Sequence, residues 1–213
     1  MTQIASGPST GDGAGDKKDA PSDAQAKAMA HVRGLLEYIG EDPDREGLRD
    51  TPRRVITTFA DHFRGYHEDP RDYLRKTFTD AHGYRELVLV GGIELYSHCE
   101  HHIVPFVGKA HVAYIPDGRM VGLSKLARVV DAYAKRLQVQ ERLTAQIADA
   151  IHGVLQPKGT AVILQCQHFC MCYRGVKKPG SWTTTSRLHG TFISNPATRS
   201  ELFTLIGLRK DVG

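Results

Sequence analysis

The densest group of side chains able to do chemistry is the run His98-Cys99-Glu100-His101-His102. Cys99 and His102 are separated by two residues, so a single turn of chain can bring a thiolate and an imidazole to one metal ion. Two ligands do not complete a site, and the best source of a third is the segment 166–172, which holds three cysteines and a histidine. The spacing therefore indicates a metal centre assembled from two distant parts of the chain.

The second segment is predicted to belong to a long strand, residues 160–173. Side chains alternate between the two faces of a strand, so every second residue from 166 onward lies on a common face. That face holds Cys166, His168, Cys170, Cys172 and Arg174. Three thiols, an imidazole and a guanidinium make a poor hydrophobic core, and they suit the wall of a metal-dependent pocket that also receives an anion.

Two cysteines and one histidine match the ligand number of catalytic zinc sites, which keep one position open. Thiolate and imidazole ligands favour zinc over magnesium or calcium, which prefer oxygen. A structural zinc site would need a fourth ligand instead. The candidates near in sequence are Cys166, Cys172, His101 and His168. Cysteines buried in a core and redox-active thiols are further interpretations of the same residues.

A second cluster lies where a helix is predicted to begin. Ser124, Lys125 and Arg128 fall in its first turns, and a helix N-terminus with added positive charge binds anions. The simpler interpretation is that Ser124 caps the helix and the two cations are solvated.

Glu141 begins the next helix, where it either caps that helix or accepts two hydrogen bonds from the amidine edge of a guanine. Arg54, taken alone, is an ordinary residue on a helix face.

The elements that must position these residues follow from hydrophobic spacing and turn residues. Ser22 and Gln25 have the spacing of a capping box, and an apolar stripe at helical spacing continues to Gly40. Pro52 indicates the first turn of a second helix. The remaining elements, in order, are strands at 87–96 and 103–115, a short strand at 120–121 that returns to pair with the strand before it, two amphipathic helices, the strand at 160–173, its hairpin partner at 183–192, and a last helix capped by Asn195. This order predicts an α+β fold with antiparallel pairing.

Composition limits the class of protein. The chain has 213 residues, of which 40% are hydrophobic and 24% charged, with a net charge of +4. These values favour a folded, soluble protein of one domain plus an extra part. Residues 1–21 are polar and rich in glycine, so we expect a disordered tail, with no secretion signal there and no membrane span elsewhere. Four cysteines in such a chain do not indicate disulfides, and the basic excess is too small to argue for nucleic acid.

Taken together, the motifs resemble the GTP cyclohydrolase I family. The resemblance runs from about residue 31 to about residue 206, in the order and spacing of the family. The stretches that carry it are Thr51-Pro52-Arg53-Arg54, Cys99-Glu100-His101-His102 with Val104-Pro105-Phe106-Val107-Gly108-Lys109, Gly122-Leu123-Ser124-Lys125-Leu126-Ala127-Arg128, Gln138-Val139-Gln140-Glu141-Arg142, and His168-Phe169-Cys170-Met171 with Arg174-Gly175.

The resemblance implies the tunnelling fold, an antiparallel β-sheet with two helices packed on one face, together with an N-terminal helical part. On that basis residues 22–213 form the catalytic domain, with residues 22–80 as the helical part and residues 84–213 as the core. The resemblance assigns zinc binding to Cys99, His102 and Cys170, catalysis to His101, His168 and Ser124, and substrate binding to Glu141, Gln140, Arg54, Lys125, Arg128 and Arg174. Glu141 would hold the guanine, and the four cations would surround the triphosphate.

The family converts GTP to 7,8-dihydroneopterin triphosphate and formate, the first step of tetrahydrofolate and pterin biosynthesis. The residues suit this chemistry, because zinc activates water and a histidine can protonate the guanine ring near neutral pH. Our hypothesis is that His101 protonates the ring during its hydrolysis and that His168, with Ser124, moves protons in the later rearrangement. The resemblance also implies a cytoplasmic homodecamer with active sites between subunits, and neither nucleic acid nor membrane as a partner.

Two alternatives remain open on the sequence alone. Another tunnelling-fold enzyme could bind a purine or pterin and catalyse a different reaction, although the set of Cys99, His102 and Cys170 favours the zinc cyclohydrolase. A zinc-stabilised module that binds nucleic acid would need a fourth ligand and an array of aromatic residues. Aromatic residues make up only 8% of this chain and form no such array.

Overall fold

The computed structural model describes residues 21–79 and 83–207. The chain divides into two compact units, one reaching Thr57 and one beginning at Thr58. The tail predicted at residues 1–21 lies outside the described residues except for Pro21. No helix in the described ranges is long and apolar enough to cross a membrane.

The first unit contains helix α1 (Asp23–Tyr38) and the start of helix α2 (Thr51–His62). The predicted capping box at the start of α1 is confirmed, since the Gln25 main-chain N–H donates to Ser22 Oγ and the Ser22 N–H donates to Gln25 Oε1. Gly40 follows the helix with a φ of 89°. Glycine adopts this left-handed conformation without strain, so it ends the helix where the sequence predicts.

The second unit carries the remaining described elements. Its helices are α3 (Asp72–Arg75), α4 (Leu123–Ala134), α5 (Gln140–Leu155), α6 (Phe169–Cys172), α7 (Thr191–Ser194) and α8 (Pro196–Gly207), with a 3-10 turn at Arg64–His67. Its strands are β1 (Thr77–Phe78), β2 (Val88–Cys99), β3 (Val104–Ile115), β4 (Met120–Val121), β5 (Leu137–Gln138), β6 (Gly159–His168) and β7 (Thr183–Gly190). The cap predicted for the last helix is confirmed, because Asn195 Oδ1 accepts from the Ala197 N–H at 2.9 Å.

Five strands form one sheet in the order β5-β2-β3-β6-β7. Every pairing in it is antiparallel except that of β5, which runs parallel to the end of β2. The α+β prediction and the hairpin of β6 with β7 are confirmed. The pairing predicted for residues 120–121 is wrong, because β3 already has β2 and β6 on its two sides. Those residues pair instead with β1, with Thr77 opposite Val121.

Hydrophobic side chains fill both faces of the sheet. Val112 of β3 and Leu164 of β6 belong to the larger core, which includes the apolar stripes of α4 and α5. The neighbouring Ala113 and Ile163 point to the other face, because side chains alternate along a strand, and they pack with Phe192 of α7. Two long helices therefore cover one face of the sheet, as the tunnelling fold requires.

The strand predicted at residues 160–173 is too long. β6 ends at His168, and the next four residues form the helical turn α6. The ladder stops here for two reasons. On one side, β7 reaches no further than Thr183, which pairs with Cys166. On the other side, the residue next in line on β3 is Pro105, which has no N–H to donate. The shared strand face predicted for the residues beyond 168 is therefore wrong.

Candidate metal centre and substrate pocket

The first two predicted ligands lie on either side of a tight turn at the end of β2. The Cys99 carbonyl oxygen accepts from the main-chain N–H of His102 at 3.3 Å and of Ile103 at 2.8 Å. Ile103 has a φ of 53°, a left-handed conformation that is costly for a β-branched residue. This turn brings Cys99 Sγ to 3.9 Å from His102 Nδ1.

Cys170 brings the third ligand atom from α6. The ligand atoms of Cys99, His102 and Cys170 all lie within 4.8 Å of one another. Burial, and then the adjacent Cys99, raise the pKa of the Cys170 thiol, and a bound cation would favour its thiolate instead. Two sulfurs and one imidazole nitrogen at this spacing fit zinc. The described residues add no fourth member to the group.

The short strand β5 places the start of α5 beside this turn. Cys99 of β2 pairs with Gln138 of β5, and the Glu100 N–H donates to the Gln138 carbonyl oxygen at 3.0 Å. Because α5 begins two residues later, Gln140 and Glu141 follow directly beside the ligand turn. The parallel pairing thus connects the metal centre to the predicted guanine-binding carboxylate.

A cavity of about 220 Å³ adjoins the ligand group. The residues that line it are Cys99, His101, His102, Gln138, Val139, Gln140, Glu141, His168, Cys170, Met171 and Thr183. The structure therefore gathers in one place all three predicted ligands, both predicted catalytic histidines and two of the predicted substrate-binding residues. They come from the end of β2 and the turn after it, from the start of α5, from the end of β6 and from α6.

His168 is held at the end of β6 by a ring contact and a hydrogen bond. Its ring stacks on that of Phe106, with centroids 4.6 Å apart and planes inclined by 10°. Its Nε2 lies 2.7 Å from Gln140 Oε1. Burial lowers the pKa of His168, and the nearby Glu141 carboxylate opposes that shift. The lowered pKa favours the neutral ring near neutral pH.

Arg142 braces the turn between the first two ligands. Its guanidinium donates to the Glu100 carboxylate and to Gln138 Oε1, and the first of these bonds lowers the pKa of Glu100. His101 projects from the same turn, with its Nδ1 3.8 Å from Cys99 Sγ. The imidazole of His101 is exposed at the cavity, so it is open to a bound substrate.

The residues predicted at the start of α4 are not among the described residues that line the cavity. Ser124 and Lys125 lie in the first turn of α4, and the cap is Gly122 rather than Ser124. Arg128 extends over the ring of Tyr73, with its guanidinium carbon 5.9 Å from the ring centroid. A single chain therefore leaves this cationic helix end outside the cavity.

The two remaining predicted cations, Arg174 and Arg54, follow α6 and belong to α2, respectively. Arg174 follows α6 and is exposed to solvent. Arg54 belongs to the first unit, where it forms an ion pair with Asp50 at 3.6 Å.

The two other cysteines are part of the protein interior. Cys166 has no exposed surface, and burial raises the pKa of its thiol to about 12. Cys172 is also buried, and neither residue joins the ligand group among the described residues. The arrangement therefore favours the three-ligand interpretation over a four-ligand structural site.

Sequence reasoning missed several residues of the cavity lining. Val139 and Met171 adjoin predicted site residues in the sequence, so adjacency was an available signal. Thr183 is distant in sequence, and only its register opposite Cys166 brings it to the cavity. No spacing rule gives the register of a hairpin whose loop is this long.

A cavity with a Cys-His-Cys ligand group, two further histidines and a carboxylate defines a zinc-dependent enzyme that acts on a polar substrate. The chain belongs to the GTP cyclohydrolase I family, whose model matches residues 28–207. This membership decides against the nucleic-acid module and against a different tunnelling-fold enzyme.

Curated relatives are similar over most of their length. A GTP cyclohydrolase 1 of Corynebacterium aurimucosum is 56% identical over 182 residues, which cover 84% of this chain and 92% of that protein. A GTP cyclohydrolase 1 of Carboxydothermus hydrogenoformans is 58% identical over 177 residues, covering 83% of this chain and 91% of the relative. The similarity therefore spans both the ligand segments and the helices between them.

Proposed function

We propose that Cys99, His102 and Cys170 hold the zinc ion on which this chain's activity depends, and that GTP binds in the adjoining cavity. The chain is a zinc-dependent hydrolase that converts GTP to 7,8-dihydroneopterin triphosphate and formate, in the biosynthesis of pterins and folate. One observation carries the assignment of the site. The ligand group, two histidines and Glu141 meet at a single cavity although they come from distant segments.

Each side chain has a role that its position supports. Glu141 presents two carboxylate oxygens that can accept hydrogen bonds from the amidine edge of guanine. His101 is exposed beside the ligand group, where it protonates a nitrogen of the five-membered ring as that ring is hydrolysed. Zinc, when bound, supplies Lewis acidity that activates water near neutral pH. His168 moves protons in the rearrangement that follows ring opening.

The cations and Ser124 complete the site from a neighbouring subunit in this proposal. The triphosphate needs several positive charges, and one chain places Arg128 outside the cavity lining. We assign the triphosphate to Arg54, Lys125, Arg128 and Arg174, and we place Ser124 with His168 in proton transfer. The complete site then lies between subunits of a homo-oligomer, for which we propose the decamer.

Hybrid oligomers test this arrangement. His168→Ala and Arg128→Ala are each expected to lose pterin formation when assembled alone. Unfolded and refolded together in equal amounts, they are expected to regain activity, because about a quarter of the sites then receive both intact residues from different chains. No recovery in hybrids shown by mass to contain both chains would contradict the shared site.

Product analysis tests the role of His168. The variant His168→Ala is expected to release formate from GTP and to form no 7,8-dihydroneopterin triphosphate, because ring opening depends on the other groups. Pterin formation at the normal rate in this variant would contradict the assignment. Loss of both products with normal zinc content would place His168 in the first step instead.

We also propose that residues 22–213 act as the catalytic domain, with a helical part at 22–80 and the core at 84–213. The family match to residues 28–207 supports these limits. A cytoplasmic location suits ligands that must remain free thiols. A chain that begins at residue 22 is expected to keep full zinc content and turnover, and a large loss of either would contradict the division.

A further inference from the structure

The side chain of Gln140 is buried and fully engaged by the protein. It is only 1% exposed at the start of α5. Its amide nitrogen, Nε2, donates toward the carbonyl oxygen of Thr183 at 3.0 Å, toward Thr185 Oγ1 at 3.0 Å and toward the carbonyl oxygen of Leu164 at 3.3 Å. Its Oε1 lies 2.7 Å from His168 Nε2. These four contacts engage both polar atoms of the amide, with the two hydrogens of Nε2 shared among three acceptors.

The partners of the amide decide which way round it lies. The oxygen and nitrogen of a glutamine are assigned from their surroundings, because their shapes are alike. The partners at Thr183 and Leu164 are main-chain carbonyl oxygens, which can only accept. A reversed amide would set Gln140 Oε1 against both of these oxygens at hydrogen-bond distance. Nε2 therefore faces β6 and β7, and Oε1 faces His168.

A ring of hydrogen bonds that Gln140 forms with Thr144 and Thr185 agrees with this orientation. Thr144 Oγ1 donates to the Gln140 carbonyl oxygen at 2.7 Å, so it accepts from Thr185 Oγ1, also at 2.7 Å. Thr185 Oγ1 has then used its proton, and it accepts from Gln140 Nε2. Each hydroxyl donates once and accepts once. The direction of the whole ring is consistent with only one orientation of the amide.

We propose that Gln140 is a positioning residue that holds His168 in the Nε2–H tautomer. An oxygen at 2.7 Å from Nε2 requires a proton on that nitrogen, so the neutral ring carries its lone pair on Nδ1. Among the described residues, Nδ1 has no hydrogen-bond partner, and His168 lines the cavity. Nδ1 is therefore the ring nitrogen that remains available to GTP.

This inference rests on the role of His168 in the proposed function and makes it more specific. His168 enters the rearrangement as a base. It takes a proton from the substrate at Nδ1, becomes an imidazolium that donates from both nitrogens, and returns that proton to the substrate in a later step. The stack on Phe106 fixes the plane of the ring during both transfers. Gln140 then acts through His168, and this role replaces the substrate contact that the resemblance implies for Gln140.

The tautomer is measured directly by solid-state nitrogen NMR of the zinc-loaded protein with labelled histidine. The signals of His168 are identified by their loss in His168→Asn. In the unaltered chain, the expected result is a protonated Nε2 and an unprotonated Nδ1. A proton on Nδ1 in the neutral ring would overturn the proposal, and this measurement needs no variant of Gln140 that folds.

A pair of matched variants gives a second readout. Gln140→Met keeps the size of the side chain and removes its hydrogen bonds, whereas Gln146→Met makes the same change on α5 where Gln146 contacts Gln138. Gln140→Met is expected to lower kcat for pterin formation by about 10–100-fold with KM for GTP unchanged, by analogy with the loss typical when the hydrogen-bonding partner of a metal-ligating histidine is removed. Formate release by Gln140→Met is expected to stay within about threefold of normal, below that range. Formate release and pterin formation by Gln146→Met are expected to stay within the same limit.

The two readouts separate failure of this inference from failure of the proposed function. A raised KM with unchanged kcat in Gln140→Met would mean that Gln140 binds GTP directly, and it would overturn the inference alone. Equal losses in the two methionine variants would do the same, because they indicate a structural role. Normal pterin formation by His168→Ala would instead contradict the function proposed for His168, whatever its tautomer.

Discussion

The contact between β3 and β6 at Gly108 is close enough to predict a large effect from one methyl group. Gly108 pairs with Cys166. A Cβ at Gly108 would lie 1.9 Å from the Gln165 carbonyl oxygen and 2.6 Å from Cys166 Cα. Both neighbours are main-chain atoms of β6, so no side chain can rotate away. The substitution Gly108→Ala therefore has to move one strand relative to the other.

The size of the effect follows from the distance. The oxygen would have to retreat by about 1.1 Å to reach 3.0 Å, the shortest contact that real Cβ atoms make. A displacement of this size breaks ladder hydrogen bonds, whose normal range is only a few tenths of an ångström wide. Losing two of them in the sheet interior costs about 2–6 kcal/mol, at roughly 1–3 kcal/mol for each hydrogen bond left unmade. That is a large share of the 5–15 kcal/mol by which proteins are typically stable.

Urea unfolding followed by circular dichroism, at one fixed protein concentration, measures this loss. Gly108→Ala is expected to unfold at a much lower urea concentration than the unaltered chain. Gly153→Ala is the matched control, because Gly153 lies in α5 and a Cβ added there would have nothing within 4 Å, and alanine there is expected to add up to about 1 kcal/mol. Equal midpoints for Gly108→Ala and the unaltered chain would refute the reasoning.

Three further predictions concern zinc, pH and base recognition. Cys170→Ala is expected to lose bound zinc. Cys166→Ala is expected to keep it, because the Cys166 thiol is buried with a pKa of about 12. Metal analysis that finds zinc lost from both variants would contradict this prediction. Burial, and then the adjacent His189, lower the pKa of His152, so below about pH 6.5 the unfolded chain binds a proton that the folded chain does not. The free energy of unfolding should then fall as the pH drops from about 7.5 to about 5.5, and it should fall less in His152→Gln; equal falls would contradict the prediction. Glu141→Gln is expected to raise KM for GTP by about 10–100-fold, since a charge-assisted hydrogen bond contributes roughly 1.5–3 kcal/mol. It is also expected to reduce the preference for GTP over inosine triphosphate, which lacks the amino group. An unchanged preference would contradict the role of Glu141.

The sequence was most informative where function depends on local spacing. The separation of Cys99 and His102 is set by one turn, so it could be predicted before the fold was known. The capping box at Ser22 and the cap at Asn195 are local in the same sense, and both are confirmed. Periodicity also found the two helices that cover the sheet, because an apolar stripe needs no knowledge of its partner.

The sequence was least informative where neighbouring strands decide the outcome. Strand periodicity placed Cys170 on β6, but β6 ends at His168 because Pro105 interrupts the ladder beside it. The partner of residues 120–121 was wrong for a similar reason, since both sides of β3 are occupied. The orientation of the Gln140 amide depends on carbonyl oxygens that β6 and β7 bring together only in the folded sheet.

Incubation of the zinc-loaded chain with GTP tests the central claim most directly. Formate and 7,8-dihydroneopterin triphosphate are expected in equal amounts, lost on chelation and restored by added zinc, while Cys170→Ala stays inactive after zinc is added. The claim would be contradicted if the zinc-loaded, folded chain released neither product from GTP, or if both products persisted after metal analysis showed that zinc had been removed.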